Sequence, residues 1–114
     1  GISYNDNNNA YYLVNEDLPG EMIIWNPQFG IIDQISMNFA DDYSAIFVDN
    51  QNALLWIVSD QSQALFKTDY NTKVIQEYTL ERTKFEGITI DIDNNLLYLV
   101  NDATAELSIY KIVN

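Results

Sequence analysis

Apolar and polar positions recur in one pattern three times along the chain. The copies read GISYNDNNNAYYLV from Gly1, AIFVDNQNALLWIV from Ala45 and GITIDIDNNLLYLV from Gly87, so they begin 44 and 42 residues apart. Each copy has a short alternating segment, then a polar turn rich in Asn and Asp, then a run of apolar residues. Alternation predicts a β-strand, and a short apolar run suits a strand that is buried on both faces. Three copies in register indicate a repeat architecture.

Two further strands are predicted after each unit. The third strand is EMIIWN, ALFKTD or ELSIYK, and the fourth is IIDQISMNF or KVIQEYTLE, whereas copy three reaches Asn114 before a fourth strand. Four antiparallel strands per repeat of this length are the signature of a β-propeller blade. We therefore predict an all-β propeller fragment of about two and three-quarter blades, at 1–41, 42–84 and 85–114. The alternative is a β-sandwich of about eleven strands, which a strict four-strand repeat disfavours.

The predicted number of blades is too small for a closed propeller. Propellers usually contain four to eight blades, and a repeat unit cannot bury both of its faces alone. We therefore expect either missing propeller blades from a larger protein or assembly with a second copy, which would give a six-bladed ring. The chain also begins at the Gly of its repeat, without a counterpart of Glu86, as if a boundary fell inside a motif.

Charge and composition exclude several classes of function. The chain has 17 acidic and 5 basic residues, a net charge of −12, and neither Cys nor His. This charge repels nucleic acids and anionic membrane surfaces and favours cations and basic partners. No apolar run approaches the roughly 18 residues of a membrane span, so no membrane insertion is predicted within this segment. Without His or Cys, any metal ion should be a hard, oxygen-binding cation, with calcium the expected ion.

An acidic residue follows the buried strand run in every copy. Equivalent strand ends gather on one side of a propeller, so these acids and the Glu before Gly87 should converge from different blades. We call these four residues the rim acids and predict that they are metal ligands: Glu16, Asp60, Glu86 and Asp102. The polar residues that precede three of them are predicted to contribute to ligand binding: Asn15, Ser59 and Asn101. Such a cluster could equally raise one carboxyl pKa for acid–base chemistry, or each acid could cap a turn of its own blade.

Two other carboxylate arrangements are disfavoured. Asp91, Asp93, Asn95 and Asp102 match positions 1, 3, 5 and 12 of an EF-hand, but position 6, which should be Gly, is Leu96. The apolar run that starts there should be a strand, which would hold Asp102 about 16 Å from the turn. Two carboxylates also suffice for glycoside hydrolysis, yet no spacing singles out a pair.

The aromatic residues divide into core and surface candidates. Tyr12, Trp56 and Tyr98 occupy equivalent positions in the buried runs and are predicted to pack between blades. Trp25 lies beside Asn26-Pro27 at the end of a predicted third strand. We expect it to be partly exposed, and it is the candidate for contact with a ligand or partner.

The chain resembles the SdiA-regulated (YjiK-like) family of bacterial β-propellers. The resemblance rests on FEGITIDIDNNLLYLVND, YSAIFVDNQNALLWIVSDQSQALFKTD and VIQEYTL, and covers essentially the whole chain, in the order of the family's C-terminal half. Its most specific parts are the pair Glu86-Gly87 and the acid that ends the second strand. It implies a six-bladed propeller, usually exported or membrane-tethered, without an established activity. Ser44-Ala45 replaces the Glu-Gly pair in copy two, so a site built on that pair would not be threefold.

Together these observations favour a non-catalytic binding or interaction propeller. The resemblance implies that it belongs to an exported bacterial protein, periplasmic or extracellular, or one anchored to a membrane through a segment outside this one. Calcium would order its rim, and an unknown protein or small-molecule ligand would bind it. The alternative is a phytase-like or esterase-like propeller hydrolase that uses the rim carboxylates and a metal ion. A third reading is a structural fragment whose strand edges pair with another chain.

Overall fold

The computed structural model describes residues 1–113, and within them the chain is all-β, as predicted. The first sheet contains β1 (Ile2–Asn5), β2 (Ala10–Val14), β3 (Gly20–Asn26) and β4 (Gly30–Met37). The second contains β5 (Ala45–Asp49), β6 (Leu54–Ser59), β7 (Ala64–Thr68) and β8 (Val74–Thr79). The third contains β9 (Phe85–Asp91), β10 (Leu96–Asn101) and β11 (Glu106–Lys111). The last residue of the predicted third blade, Asn114, lies outside the described residues.

Neighbouring strands of each sheet are consecutive in the sequence and antiparallel. The order is β1-β2-β3-β4, then β5-β6-β7-β8 and, within residues 85–113, β9-β10-β11. The first strands of the sheets contact one another, β1 with β5 and β5 with β9. Meandering sheets whose first strands stand side by side are the blades of a propeller. Residues 1–113 contain no helix that could cross a bilayer.

The hairpin turns between the first and second strands share one geometry. Asn5, Asp49 and Asp91 begin these turns, and the side chain of each accepts a backbone N–H two or three residues later, at 3.0 to 3.2 Å. The last turn residue has a left-handed backbone in each copy: Asn9, Ala53 and Asn95, with φ of 52°, 55° and 55°. Asn and Asp favour such turns because their side chains bind local backbone groups and tolerate this conformation. The repeat in the sequence is therefore a repeat of turn chemistry as well as of strands.

The core lies between the sheets. The interface of sheets one and two is built from Tyr12, Val14, Met22, Ile46, Leu55 and Ile57. The interface of sheets two and three is built from Trp56, Val58, Leu65, Ile90, Leu97 and Leu99. Tyr12 and Trp56 are buried, as predicted from their equivalent positions. Tyr98 is only half-buried, because it lies on the side of the third sheet that faces away from sheet two.

Candidate functional site

The rim acids lie at corresponding ends of equivalent strands. Glu16 follows β2, Asp60 follows β6 and Asp102 follows β10, while Glu86 is the second residue of β9. Since β9 runs antiparallel to β10, with Phe85 opposite Asn101, Glu86 lies at the same end of the third sheet as Asp102. The acids thus come from three different sheets to one side of the molecule.

Glu86 is the rim acid whose pKa is raised by its neighbours on this acidic side. Burial raises the pKa of the Glu86 carboxyl, and the negative charges of Glu16, Asp60, Asp102 and Asp42 raise it further. The structure therefore brings the other three rim acids within electrostatic range of Glu86. The amino group of Gly1 lies in the same field: burial lowers its pKa, while Glu16 and Glu86 oppose that shift.

Asp60 is the rim acid with the clearest structural partner. Its side chain is almost fully buried and accepts a hydrogen bond from the backbone N–H of Lys84, on the crossing into sheet three. The Lys84 ammonium lies 3.7 Å from Asp60 Oδ2. Lys84 has a left-handed backbone with φ of 69°, which is uncommon for a residue with a side chain. Asp60 thus holds the backbone at Lys84, just before β9 begins and two residues before Glu86.

Asp42 is a part of this acidic side that the sequence analysis missed. It is buried and accepts hydrogen bonds from Ser59 Oγ at 2.5 Å and from the Gln61 N–H at 2.9 Å. Its counterpart in the third copy is Lys84, so the acid occurs once and the repeat does not mark it. The Asp41-Asp42 pair at a predicted blade crossing was the available signal, and it is weak.

The polar residues that precede three of the rim acids are engaged in local turns. Asn15 Oδ1 accepts the Glu21 N–H at 2.7 Å, and its Nδ2 donates to the carbonyl oxygens of Asp17 and Pro19. Asn101 Oδ1 accepts the Ala103 and Thr104 N–H groups, and its Nδ2 donates to the Thr83 carbonyl at 2.8 Å. Ser59 Oγ donates to Asp42 and accepts the Ser62 N–H. Most of these contacts cap turns, whereas the bonds of Asn101 to Thr83 and of Ser59 to Asp42 join residues 18 and 17 positions apart. A ligand-binding role for Asn15, Ser59 and Asn101 remains a prediction.

Trp25 lies apart from the rim acids. It pairs with Tyr11 near the start of β2, whereas Glu16 follows the end of that strand. The Trp25 and Tyr11 ring centroids are 5.8 Å apart, and the Trp25 side chain is 39% exposed, as predicted. With Ile2, Tyr11 and Leu13 it lines an open hollow of about 390 Å³ on the outer side of sheet one. Whether it binds a ligand remains a prediction.

The described residues hold no group of three Asp or Glu side chains close enough together to bind a metal ion. The EF-hand spacing gives no loop, because β10 separates Asp91 from Asp102. Asp91 instead caps its own turn, with Oδ2 accepting from Asn94 Nδ2 at 2.8 Å. The assignment of Glu16, Asp60, Glu86 and Asp102 as metal ligands remains a prediction.

Comparison with known proteins agrees with this architecture. The chain is a β-propeller domain: over 96% of its length it superposes on Kuenenia stuttgartiensis hydrazine synthase with a TM-score of 0.74 and 13% sequence identity. It spans 31% of that chain, and the likeness concerns the fold alone. The sequence profile of the SdiA-regulated family matches residues 1–105, so the chain belongs to the SdiA-regulated family. No curated protein matches the chain.

Proposed function

We propose that the chain is a non-catalytic binding and interaction propeller of an exported protein, in which a calcium ion orders the rim acids. The observation that carries this proposal is the convergence of acids from three sheets on Glu86, whose pKa is raised by burial and by four neighbouring carboxylates. A raised pKa means that the ionised form of this carboxyl is less favoured than usual, and a cation bound beside it would favour that form. The net charge of −12 adds a field that attracts cations.

Calcium suits this position because its coordination does not require three carboxylates. It accepts six to eight oxygen ligands, and backbone carbonyls, amide oxygens and water can complete the shell around one or two carboxylates. Glu86 lies on β9 and Asp102 follows the neighbouring strand β10, while Glu16 and Asp60 follow strands of the other two sheets. A site with few carboxylates binds calcium weakly, in the range of roughly 10⁻⁴–10⁻³ M that serves extracellular modules. A periplasmic or extracellular location, where a site of this affinity would be occupied, is part of the proposal.

The partner would be a protein or a small molecule that binds the ordered rim or the aromatic side of sheet one. The exposed ring of Trp25, which lies beside Tyr11, supports contact with such a partner on the aromatic side of sheet one. Tryptophan and tyrosine are enriched among residues that dominate binding energies.

The test is a thermal denaturation series with millimolar calcium and with a chelator. Calcium should raise the midpoint of the wild type, by roughly 4–8 °C for each kcal/mol of binding energy in a domain of this size. Glu86→Gln should abolish that increase. Glu77→Gln is the matched control, because Glu77 is an exposed acid on β8 and the same charge is removed away from the rim. Equal midpoints in calcium and chelator would contradict the proposed calcium site.

The same variants separate binding from catalysis. A phosphatase or esterase activity that required both calcium and Glu86 would contradict the non-catalytic role and support the hydrolase alternative. A calcium-dependent midpoint without such activity is the expected result.

A further inference from the structure

A hollow of about 200 Å³ lies between sheets two and three, at the end of their interface away from the rim acids. Asp49, which ends β5, and Leu54, which begins β6, line it, whereas Asp60 follows the far end of β6. Sheet three contributes the residues that follow β9 and β11, Ile92 and Ile112. The hollow is therefore part of an interface within the chain and is separate from the proposed calcium site.

The interface of sheets one and two shows what fills the equivalent place there. The phenol ring of Tyr70 packs beside Tyr12, with 5.8 Å between the ring centroids. Its hydroxyl oxygen accepts a hydrogen bond from Asn5 Nδ2 at 3.3 Å. The residues that follow it, 71–73, form a turn of their own that Asp69 caps. In the first interface, this place is thus filled by a phenol ring with a hydrogen-bonded hydroxyl group.

The second interface differs at the same repeat positions. The counterpart of Tyr70 is Ile112, and Trp56 takes the position of Tyr12. A carboxylate, that of Asp49, stands where the first interface has an amide. Isoleucine is smaller than tyrosine and has no hydroxyl group, so the second interface has a hollow where the first has a phenol ring.

Two side chains that line this hollow carry hydrogen-bond donors without an acceptor in residues 1–113. Trp56 is 4% exposed, and its Nε1–H forms no hydrogen bond. The Lys67 ammonium lies 5.5 Å from the centroid of the Trp56 ring and forms no ion pair with the described residues. A buried donor without an acceptor is costly, and such groups are rare in folded proteins. A bound molecule with an oxygen acceptor would remove this cost.

We propose that the hollow is a binding site for a small hydroxylated aromatic molecule that also carries an oxygen acceptor. The ring takes the place that Tyr70 has in the first interface and packs against Trp56. The hydroxyl group donates to Asp49, and the Lys67 ammonium donates to the oxygen acceptor. This site goes beyond the proposed calcium site and does not depend on it.

The size and the chemistry of the hollow both fit one substituted ring. A cavity of roughly 150 Å³ is enough to hold benzene, so about 200 Å³ leaves room for small substituents. Asp49 Oδ2 accepts one hydrogen bond, from Asn52 Nδ2 at 2.8 Å, and a carboxylate oxygen can accept a second. A carboxylate accepts and does not donate, so the site selects a ligand that supplies the donor.

The test is an NMR titration of the isotope-labelled chain with para-hydroxybenzamide, in chelator so that the calcium proposal is not involved. The chain has two indole N–H signals, from Trp25 and Trp56, which Trp25→Phe assigns. The Trp56 signal should move, and the Trp25 signal should not, because Trp25 lies on the outer side of sheet one. Benzamide, which lacks the hydroxyl group, should bind more weakly by on the order of tenfold.

Substitutions in the wall of the hollow locate the site. Ile112→Tyr should abolish binding, because it supplies the phenol ring that fills the first interface. Ile112→Leu is the matched control, since it keeps the size of the side chain and should keep the binding. Lys67→Met should weaken the binding of para-hydroxybenzamide by on the order of tenfold, because it removes the charged donor and retains an apolar side chain.

Several results would overturn the proposal. A Trp56 signal that did not move at millimolar para-hydroxybenzamide would mean that the hollow does not bind this class of molecule. Equal affinity for benzamide would contradict the role of Asp49 and the hydroxylated ligand. Binding that survived Ile112→Tyr, or that moved the Trp25 signal instead, would place the site elsewhere. If Ile112→Tyr failed to fold, the comparison of the two probes on the wild type would still decide.

Discussion

Asp60 of the second sheet accepts the backbone N–H of Lys84, and the two residues also form an ion pair with 3.7 Å between Asp60 Oδ2 and Lys84 Nζ. The backbone contact fixes the crossing into the third sheet, where Lys84 has a left-handed conformation. The ammonium group is more than half exposed, whereas the carboxylate is almost fully buried. The backbone hydrogen bond should therefore contribute more to stability than the ion pair does.

Asp60→Ala should lower the free energy of unfolding by about 1–3 kcal/mol, because it leaves a partly buried N–H without its charged acceptor. Asp60→Asn should cost less, since its amide oxygen can still accept that bond. Lys84→Met should cost at most about 1 kcal/mol, as expected for an exposed ion pair. Urea denaturation of the three variants measures these differences. A loss for Lys84→Met as large as that for Asp60→Ala would show that the ion pair dominates.

Glu86 should make the stability of the chain depend on pH in the absence of calcium. Its pKa is raised in the fold, so the folded chain binds more protons than the unfolded chain between the ordinary carboxyl pKa and the raised value. Glu86 therefore contributes to stability below this window, and the contribution is lost as the pH rises through it. At neutral pH, Glu86→Gln should raise the free energy of unfolding by up to about 1 kcal/mol in chelator.

The measurement for Glu86 is urea denaturation at several pH values from 4 to 8, with chelator present throughout. The difference between Glu86→Gln and wild type should grow as the pH rises through the window and then level off. Glu77→Gln, which lies away from the rim, should show no such change. A difference that is constant across this pH range would contradict the raised pKa.

Ala53 occupies a turn position at which a left-handed backbone is required. Its equivalents are Asn9 and Asn95, and all three have φ between 52° and 55°. A left-handed conformation costs an alanine roughly 1–2 kcal/mol, whereas glycine and asparagine adopt it more readily. Ala53→Gly should therefore raise the free energy of unfolding by about 0.5–1 kcal/mol, partly offset by the greater freedom of glycine in the unfolded chain.

Thermal denaturation of Ala53→Gly, with Ala64→Gly as control, measures this effect. Ala64 is buried in β7 and does not have a left-handed backbone, so glycine there should destabilise the chain. If Ala53→Gly lowered the midpoint as Ala64→Gly is expected to do, the turn would not be strained at Ala53.

The fold was largely predictable because the same local pattern occurs three times. ELSIYK was predicted as a third strand and is β11, and the run from Leu54 to Val58 lies within β6. Glu16, Asp60 and Asp102 were predictable as strand-end positions for the same reason, whereas Glu86 has no acidic counterpart in the other copies. Asp42 and its bond to Ser59 were not, because a contact between residues 17 apart leaves no repeat in the sequence. Nor does residue type show that Asn15 and Asn101 use their hydrogen-bonding groups in turns.

Adjacent residues on β10 provide a final prediction about the two sides of the third sheet. Leu99 is fully buried against sheet two, whereas Val100 faces the other way and is 49% exposed. Leu99→Ala should therefore lower the free energy of unfolding by about 2–5 kcal/mol at every protein concentration, because it creates a cavity in an interface within the chain. Val100→Ala should have little effect in dilute solution. Thermal denaturation over a wide concentration range checks both variants. A loss for Val100→Ala as large as that for Leu99→Ala would contradict the difference in burial between the two sides of the third sheet.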